Sequence, residues 1–138
     1  MTLREQQRAL AVATQAAHAA GKLMRLNLNR PKRVNEATQH DIKLELDVRC
    51  QKLIERTLRQ AFPTVAILGE EGILGDPASS ARWVVDPIDG TVNFTYGIPH
   101  ACVSIALQVR DDQSKHPGDP LRGYLTLVGV VYDPFLDE

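Results

Sequence analysis

The chain is poor in several things that would classify it quickly. Aromatic residues make up only 5% of its 138 positions, so any core it builds is mostly aliphatic. Its two cysteines, Cys50 and Cys102, stand far apart and lack the paired spacing of a zinc site or disulfide framework, so both read as buried reduced thiols. Neither sign of charge dominates. Sixteen basic and seventeen acidic residues leave a formal charge of −1, which provides no bulk attraction for nucleic acid or an anionic membrane. Any anionic ligand must therefore be captured locally. No apolar run approaches membrane-spanning length, and residues 1–8 are charged rather than signal-like, which makes the cytoplasm the expected compartment. Repeats and low-complexity tracts are also absent. What remains is 43% hydrophobic content, enough for the core of one domain.

The chain is organised around Trp83-Val-Val-Asp-Pro-Ile-Asp-Gly-Thr-Val-Asn-Phe94. Trp83, Val84 and Val85 read as the end of a strand, which Pro87 should stop by fixing its own φ and removing a donor. Asp86 and Asp89 are then expected on a turn, where their carboxylates and the carbonyl of Ile88 could surround one point. Hard divalent cations take that kind of oxygen set. Gly90 lets the backbone bend closely, and Thr91 adds a hydroxyl able to hold a water. An ordinary surface turn accounts for the Asp-Pro and Asp-Gly dipeptides equally well. An EF-hand loop does not fit, because Gly97 stands where counting twelve from Asp86 should find a glutamate.

A second acidic cluster, Gly69-Glu-Glu71-Gly72, follows another short apolar run, Val65-Ala-Ile-Leu68. If the two strands lie side by side, Glu70, Asp86 and Asp89 meet at one edge. Three carboxylates would repel there unless cations neutralised them. Two unrelated solvated loops are the alternative.

Together, Gly69-Glu-Glu71 and residues 83–94 closely resemble the magnesium-dependent inositol monophosphatase family. The resemblance implies that Glu70, Asp86, the carbonyl of Ile88 and Asp89 hold Mg²⁺, with Mn²⁺ a possible substitute. It implies that Glu70 and Thr91 position the attacking water and that the Gly90 and Thr91 amides meet the substrate phosphate. The expected partners are a small phosphorylated substrate and a second copy in a homodimer, with no nucleic acid and no membrane.

The remainder of the chain supplies the scaffold. Residues 2 to about 28 open with the capping-box pattern Thr2-Leu-Arg-Glu5 and carry Leu3, Leu10, Ala13, Ala17, Ala20 and Met24 at helical spacing. From Asp41 to Asp47 apolar and charged residues alternate strictly, which predicts a short strand. Helical spacing resumes at Cys50 and runs to Phe62, stopped by Pro63. Asp47 should thus lie at the start of a second helix, where an acid suits the helix dipole without further function. The family resemblance adds a role at a weaker cation and against the motif threonine. Leu44 replaces the threonine expected three residues earlier. Residues 102–109 read as a strand buried on both faces, 111–120 as a polar connection, and 124–132 as a further strand. His100, two residues before Cys102, is a weak metal signal and reads as structural.

These elements predict an α+β fold in which two long helices pack on a largely antiparallel sheet. By resemblance it forms the N-terminal part of an α-β-α-β-α sandwich. The resemblance extends over essentially all 138 residues but only about the first half of the family's length, short of a later Trp-Asp segment that completes a second cation site. The expected activity is hydrolysis of a small phosphate monoester by a metal-activated water. The alternatives are a superfamily phosphatase acting on a sugar bisphosphate or a nucleotide 3′-phosphate, and a truncated, non-catalytic metal-binding or oligomerisation module.

Overall fold

A computed structural model of the chain describes residues 1–32, 34–37, 42–70, 72–111 and 123–138, with residues 35–37, 42 and 43 described by backbone alone. Asp41, Glu71 and most of the polar connection expected at 111–120 lie outside the described residues.

Helix α1, Leu3–Asn27, starts where the capping box predicts. The Thr2 amide donates to Glu5 Oε2 at 2.7 Å, and the Glu5 amide donates to Thr2 Oγ1 at 3.3 Å, so two otherwise orphaned donors are satisfied. Its buried face is made almost entirely of small residues: Ala9, Ala13, Ala16, Ala17, Ala20, Gly21 and Met24. Leu3 and Leu10 stand outside it, at 71% and 47% exposure. Small side chains bring α1 close to the sheet, and at Gly21 a Cβ would lie 2.5 Å from a ring carbon of Tyr132. No other residue fits there without displacing that ring.

Strands β1, Val34–Ala37, and β2, Ile42–Leu44, form a two-stranded antiparallel sheet. The predicted strand over 41–47 ends at Leu44, because helix α2 begins at Glu45 and runs to Ala61. The reason is local. Asp47 Oδ2 accepts the Leu44 amide at 2.7 Å, one half of a capping box, whereas Leu44 has no side-chain oxygen to return the bond. That bond starts the helix well before the apolar spacing resumes. Asp47 therefore sits in the first turn, as expected, and is 2% exposed.

The main sheet contains β3 (Ala66–Gly69), β4 (Gly72–Leu74), β5 (Ala81–Asp89), β6 (Cys102–Arg110) and β7 (Tyr124–Tyr132), in the order β4-β3-β5-β6-β7. Strands β3 and β5 are parallel, and the other pairings are antiparallel. Helices α1 and α2 pack on each other and on the face that buries Trp83, Val85, Val103, Ile105, Leu107, Val128 and Tyr132. The Phe62 ring meets Trp83 edge-on, with centroids 5.7 Å apart. On the opposite face Val84, Ser104 and Ala106 are half-buried and Val131 is 69% exposed. Strand β6 is thus fully buried on one side only, a correction to the expectation of two. Strands β1 and β4 and a short helix α3, Thr91–Thr95, were not predicted. They are too short for periodicity to show.

Candidate metal centre

Parallel pairing places the two acidic stretches at one sheet edge. Ala66, Ile67 and Leu68 of β3 stand opposite Arg82, Trp83 and Val84 of β5, so both strands leave the sheet in the same direction. Glu70 follows the end of one, and Asp86 and Asp89 lie at the end of the other. Antiparallel pairing would have sent them to opposite edges.

Strand β5 does not stop at Pro87. It stays paired with β6 across a bulge, since Asp86 faces Ser104 and the next pair is Asp89 with Cys102. Pro87 and Ile88 together span the position opposite Val103. A bulge is where a missing ladder donor costs nothing. The aspartates are therefore held by the ladder rather than carried on a free turn.

Inside the bulge, Asp86 Oδ1 accepts the Ile88 amide at 3.2 Å, and Thr91 Oγ1 donates to the Ile88 carbonyl at 2.7 Å. The Ile88 side chain is buried in the core, so its main chain is anchored from below. Gly90 then turns the chain with φ +95, and a Cβ there would lie 2.9 Å from the His100 carbonyl oxygen. Conformation and space both require glycine at this point. Helix α3 follows, with Asn93 Nδ2 donating to the same His100 carbonyl at 3.0 Å. Asn93 thereby ties the motif to the start of β6. His100 takes part here through its carbonyl, in keeping with the structural reading of that residue.

The field at this edge is negative. Cys102 Sγ donates to Asp89 Oδ2 at 3.8 Å, and its thiol is pushed up to about 11, first by burial, then by the Asp89 charge and hydrogen bond, and further by Asp86 and Asp133. Asp133 was not singled out in the sequence. It reaches this neighbourhood because β7 pairs with β6 so that Tyr132 faces Val103. Only the register reveals that. Cys50 is buried as expected, between α2 and α1, and its thiol is pushed up to about 12 by burial and then by Asp47. Cys102, at the start of β6 beside the motif, is only half-buried, a correction to the expectation for both.

Both thiols keep their protons longer folded than unfolded. Their contribution to stability is complete below the ordinary thiol value of 9.0 and is lost as pH rises through about 11 for Cys102 and about 12 for Cys50. At pH 8 native Cys102 should therefore react slowly with iodoacetamide, and Asp89→Asn should speed the reaction by removing the largest charged cause. Mass spectrometry of the alkylated peptide reads this directly; equal rates in the two proteins would separate Asp89 from the thiol.

Glu70 and Asp89 are exposed, Asp86 and Thr91 are half-buried, and Asp47 is buried. Helix α3 packs on β2, which brings the motif against the strand directly preceding Asp47. The side chain of Lys43 lies outside the description. Among the described residues no three His, Cys, Asp or Glu side chains stand close enough together to hold one metal ion. The donor types nonetheless fit a hard divalent cation. Carboxylates and a carbonyl are the ligands Mg²⁺ or Mn²⁺ takes, and neither nitrogen nor sulfur is needed.

Helices on one face of a mixed sheet, with acid-bearing strand ends at a shared edge, define an α+β protein with a candidate cation centre. The sequence matches the Inositol monophosphatase family over residues 5–138, and the chain belongs to that family. It is 38% identical over 133 residues to Inositol monophosphatase 1 of Solanum lycopersicum, spanning 94% of this chain and 44% of that protein. It is 40% identical over 106 residues to Nus factor SuhB of Pseudomonas aeruginosa, spanning 73% and 39%. The crystal structure of extragenic suppressor protein suhB from Bartonella henselae superposes with a TM-score of 0.79 at 32% identity, over 95% of this chain and 47% of that one. The chain thus spans less than half the length of the relatives it matches.

Proposed function

We propose that this chain forms the metal-binding half of a phosphatase that hydrolyses a small phosphate monoester with Mg²⁺, with Mn²⁺ as a substitute. The observation that carries the reading is the parallel pairing of β3 with β5, which sends Glu70, Asp86 and Asp89 to one edge. In this proposal Glu70, Asp86, Asp89 and the Ile88 carbonyl are the ligands. The bound cation would polarise the phosphate and make an attacking water more acidic.

The remaining roles fall to the chain's own groups. The Thr91 hydroxyl spends its proton on the Ile88 carbonyl, which leaves its lone pairs to accept a hydrogen bond from the water. Glu70, exposed at the end of β3, is proposed to position the attacking water together with Thr91. Thr91 is the first residue of α3, where an amide has no intrahelical acceptor, so the Gly90 and Thr91 amides are proposed to face the phosphate oxygens. Asp47, buried in the first turn of α2, is proposed to help hold a weaker cation and to meet the motif threonine. The alcohol part of the substrate is left unassigned, because inositol, sugar-bisphosphate and nucleotide phosphates share the same phosphate chemistry. Homodimer formation and a cytoplasmic setting belong to the proposal; no helix among the described residues is long and apolar enough to cross a membrane.

A panel of phosphate monoesters assayed with and without Mg²⁺, on the chain completed to its relatives' length, tests the activity. Absence of metal-dependent phosphate release across the panel would sink it. The metal centre is tested separately on the present chain. A cation that binds only the folded state stabilises it by about 2.7 kcal/mol at a hundredfold excess over Kd. Millimolar Mg²⁺ should therefore raise Tm by roughly several degrees. Asp86→Asn should shrink that shift while relieving repulsion in the metal-free protein, and equal shifts in parent and variant would remove Asp86 from the ligand set.

A further inference from the structure

Helix α2 carries a row of cations that the proposed site does not use. Arg49, Lys52, Arg56 and Arg59 are all exposed and recur at intervals of three, four and three residues. At 3.6 residues per turn this confines them to an arc of about 80° and spreads them over about 15 Å of helix axis. The buried residues of the same helix, Leu46, Asp47, Cys50, Gln51, Ile54 and Leu58, point the opposite way. The row is therefore the outward face of α2.

A row of this kind opposes its own formation, since like charges three and four apart on a helix are mutually repulsive. A merely solvated face would alternate signs along it. The ion pair between Arg25 and Asp137 lies elsewhere. Glu55, the acid beside the row, is already engaged by Gln51 Nε2 at 2.8 Å. Glu45 stands one turn before Arg49 and, with Lys32, lines a cavity of about 350 Å³ at the start of the row.

The other end of the row borders a larger open groove of about 660 Å³ between α2 and β4. Lys52, Arg56 and Arg59 line it as three cations against the single carboxylate of Glu55, Gln60 adds a polar group, and Pro63 and Leu74 supply apolar surface. Leu74 is 37% exposed and its neighbour Ile73 53%, on a strand at the very edge of the sheet. Edge strands offer unpaired backbone donors and acceptors to a second chain.

We propose that the outward face of α2 and the groove between α2 and β4 bind an acidic protein segment that carries apolar side chains. Arginine forks take carboxylates in bidentate pairs, which suits three of the four cations. The apolar wall and the open edge of β4 give such a segment anchors beyond charge. A nucleic acid fits less well. Among the described residues the groove lining contains no aromatic ring on which a base could stack, and Pro63 and Leu74 have no counterpart on a phosphate backbone. With a chain charge of −1, the attraction is local to this face.

The probe is a fluorescein-labelled peptide alternating glutamate and leucine, titrated with the 138-residue chain and followed by anisotropy, beside a labelled RNA duplex of similar length. The peptide should bind and weaken as salt rises. Arg56→Glu with Arg59→Glu should weaken it at least about tenfold, and Leu74→Ser about threefold. These exposed positions should leave the far-UV spectrum and the Mg²⁺-induced rise in Tm unchanged, so loss of peptide binding is separable from any failure of the metal centre. No binding at ~1 mM peptide, binding indifferent to the charge reversal, or tighter binding of the RNA would each overturn the proposal.

Discussion

In a chain completed to the length of its relatives, Asp86→Asn or Asp89→Asn should lower kcat/KM by about a thousandfold or more, roughly 4 kcal/mol of transition-state stabilisation. Each substitution removes one negative charge from the proposed ligand set while keeping a side-chain oxygen. The fold should tolerate both. Asp86 Oδ1 accepts the Ile88 amide at 3.2 Å, and the carbonyl of an amide at position 86 can accept the same bond, so the bulge survives. Asp89 is exposed and accepts from the Cys102 thiol, a bond the amide oxygen of an asparagine can also accept. A suitable control is Asp76→Asn, in the exposed loop between β4 and β5, where Asp76 accepts the Ala78 amide. That variant should be indistinguishable from the parent. Turnover within about threefold of the parent for Asp86→Asn would show that the strand-end carboxylates do not carry the chemistry.

The 138-residue chain on its own should release phosphate at under about 0.1% of the rate of the completed form. It spans 44% of Inositol monophosphatase 1 of Solanum lycopersicum, and the family resemblance implies that a further cation ligand and the residues meeting the substrate alcohol lie beyond Glu138. Two cations clamp the attacking and leaving oxygens in such displacements, so loss of one leaves the leaving oxygen uncompensated. The same isolated chain should still show a Mg²⁺-dependent rise in Tm, because Glu70, Asp86 and Asp89 are all present. Purified, mass-verified chain that turns over at the rate of the completed form would overturn this expectation. It would also direct attention to a ligand supplied by a second copy.

Much of the scaffold was legible along the chain. The α1 capping box, the helical spacing of α2 and the apolar runs of β3, β5, β6 and β7 are local patterns, and local hydrogen bonding and periodicity are enough to specify them. The motif at 83–94 was legible for the same reason, as was the need for glycine at position 90. By itself the sequence also gave Asp47 its place in the first turn of α2.

What it could not decide was pairing. Alternation from Asp41 to Asp47 has the period of a strand, yet the Asp47 carboxylate captures the Leu44 amide and turns the last three residues into helix. Pro87 reads as a strand end until the ladder with β6 is known, and then becomes part of a bulge. Whether Glu70 and the two aspartates share an edge depends on β3 and β5 running parallel, and the arrival of Asp133 beside Cys102 depends on the register of β7 on β6. Strand direction and register are set by which side chains the helices bury on one face of the sheet, a condition written across distant segments, so only the tertiary structure could supply them.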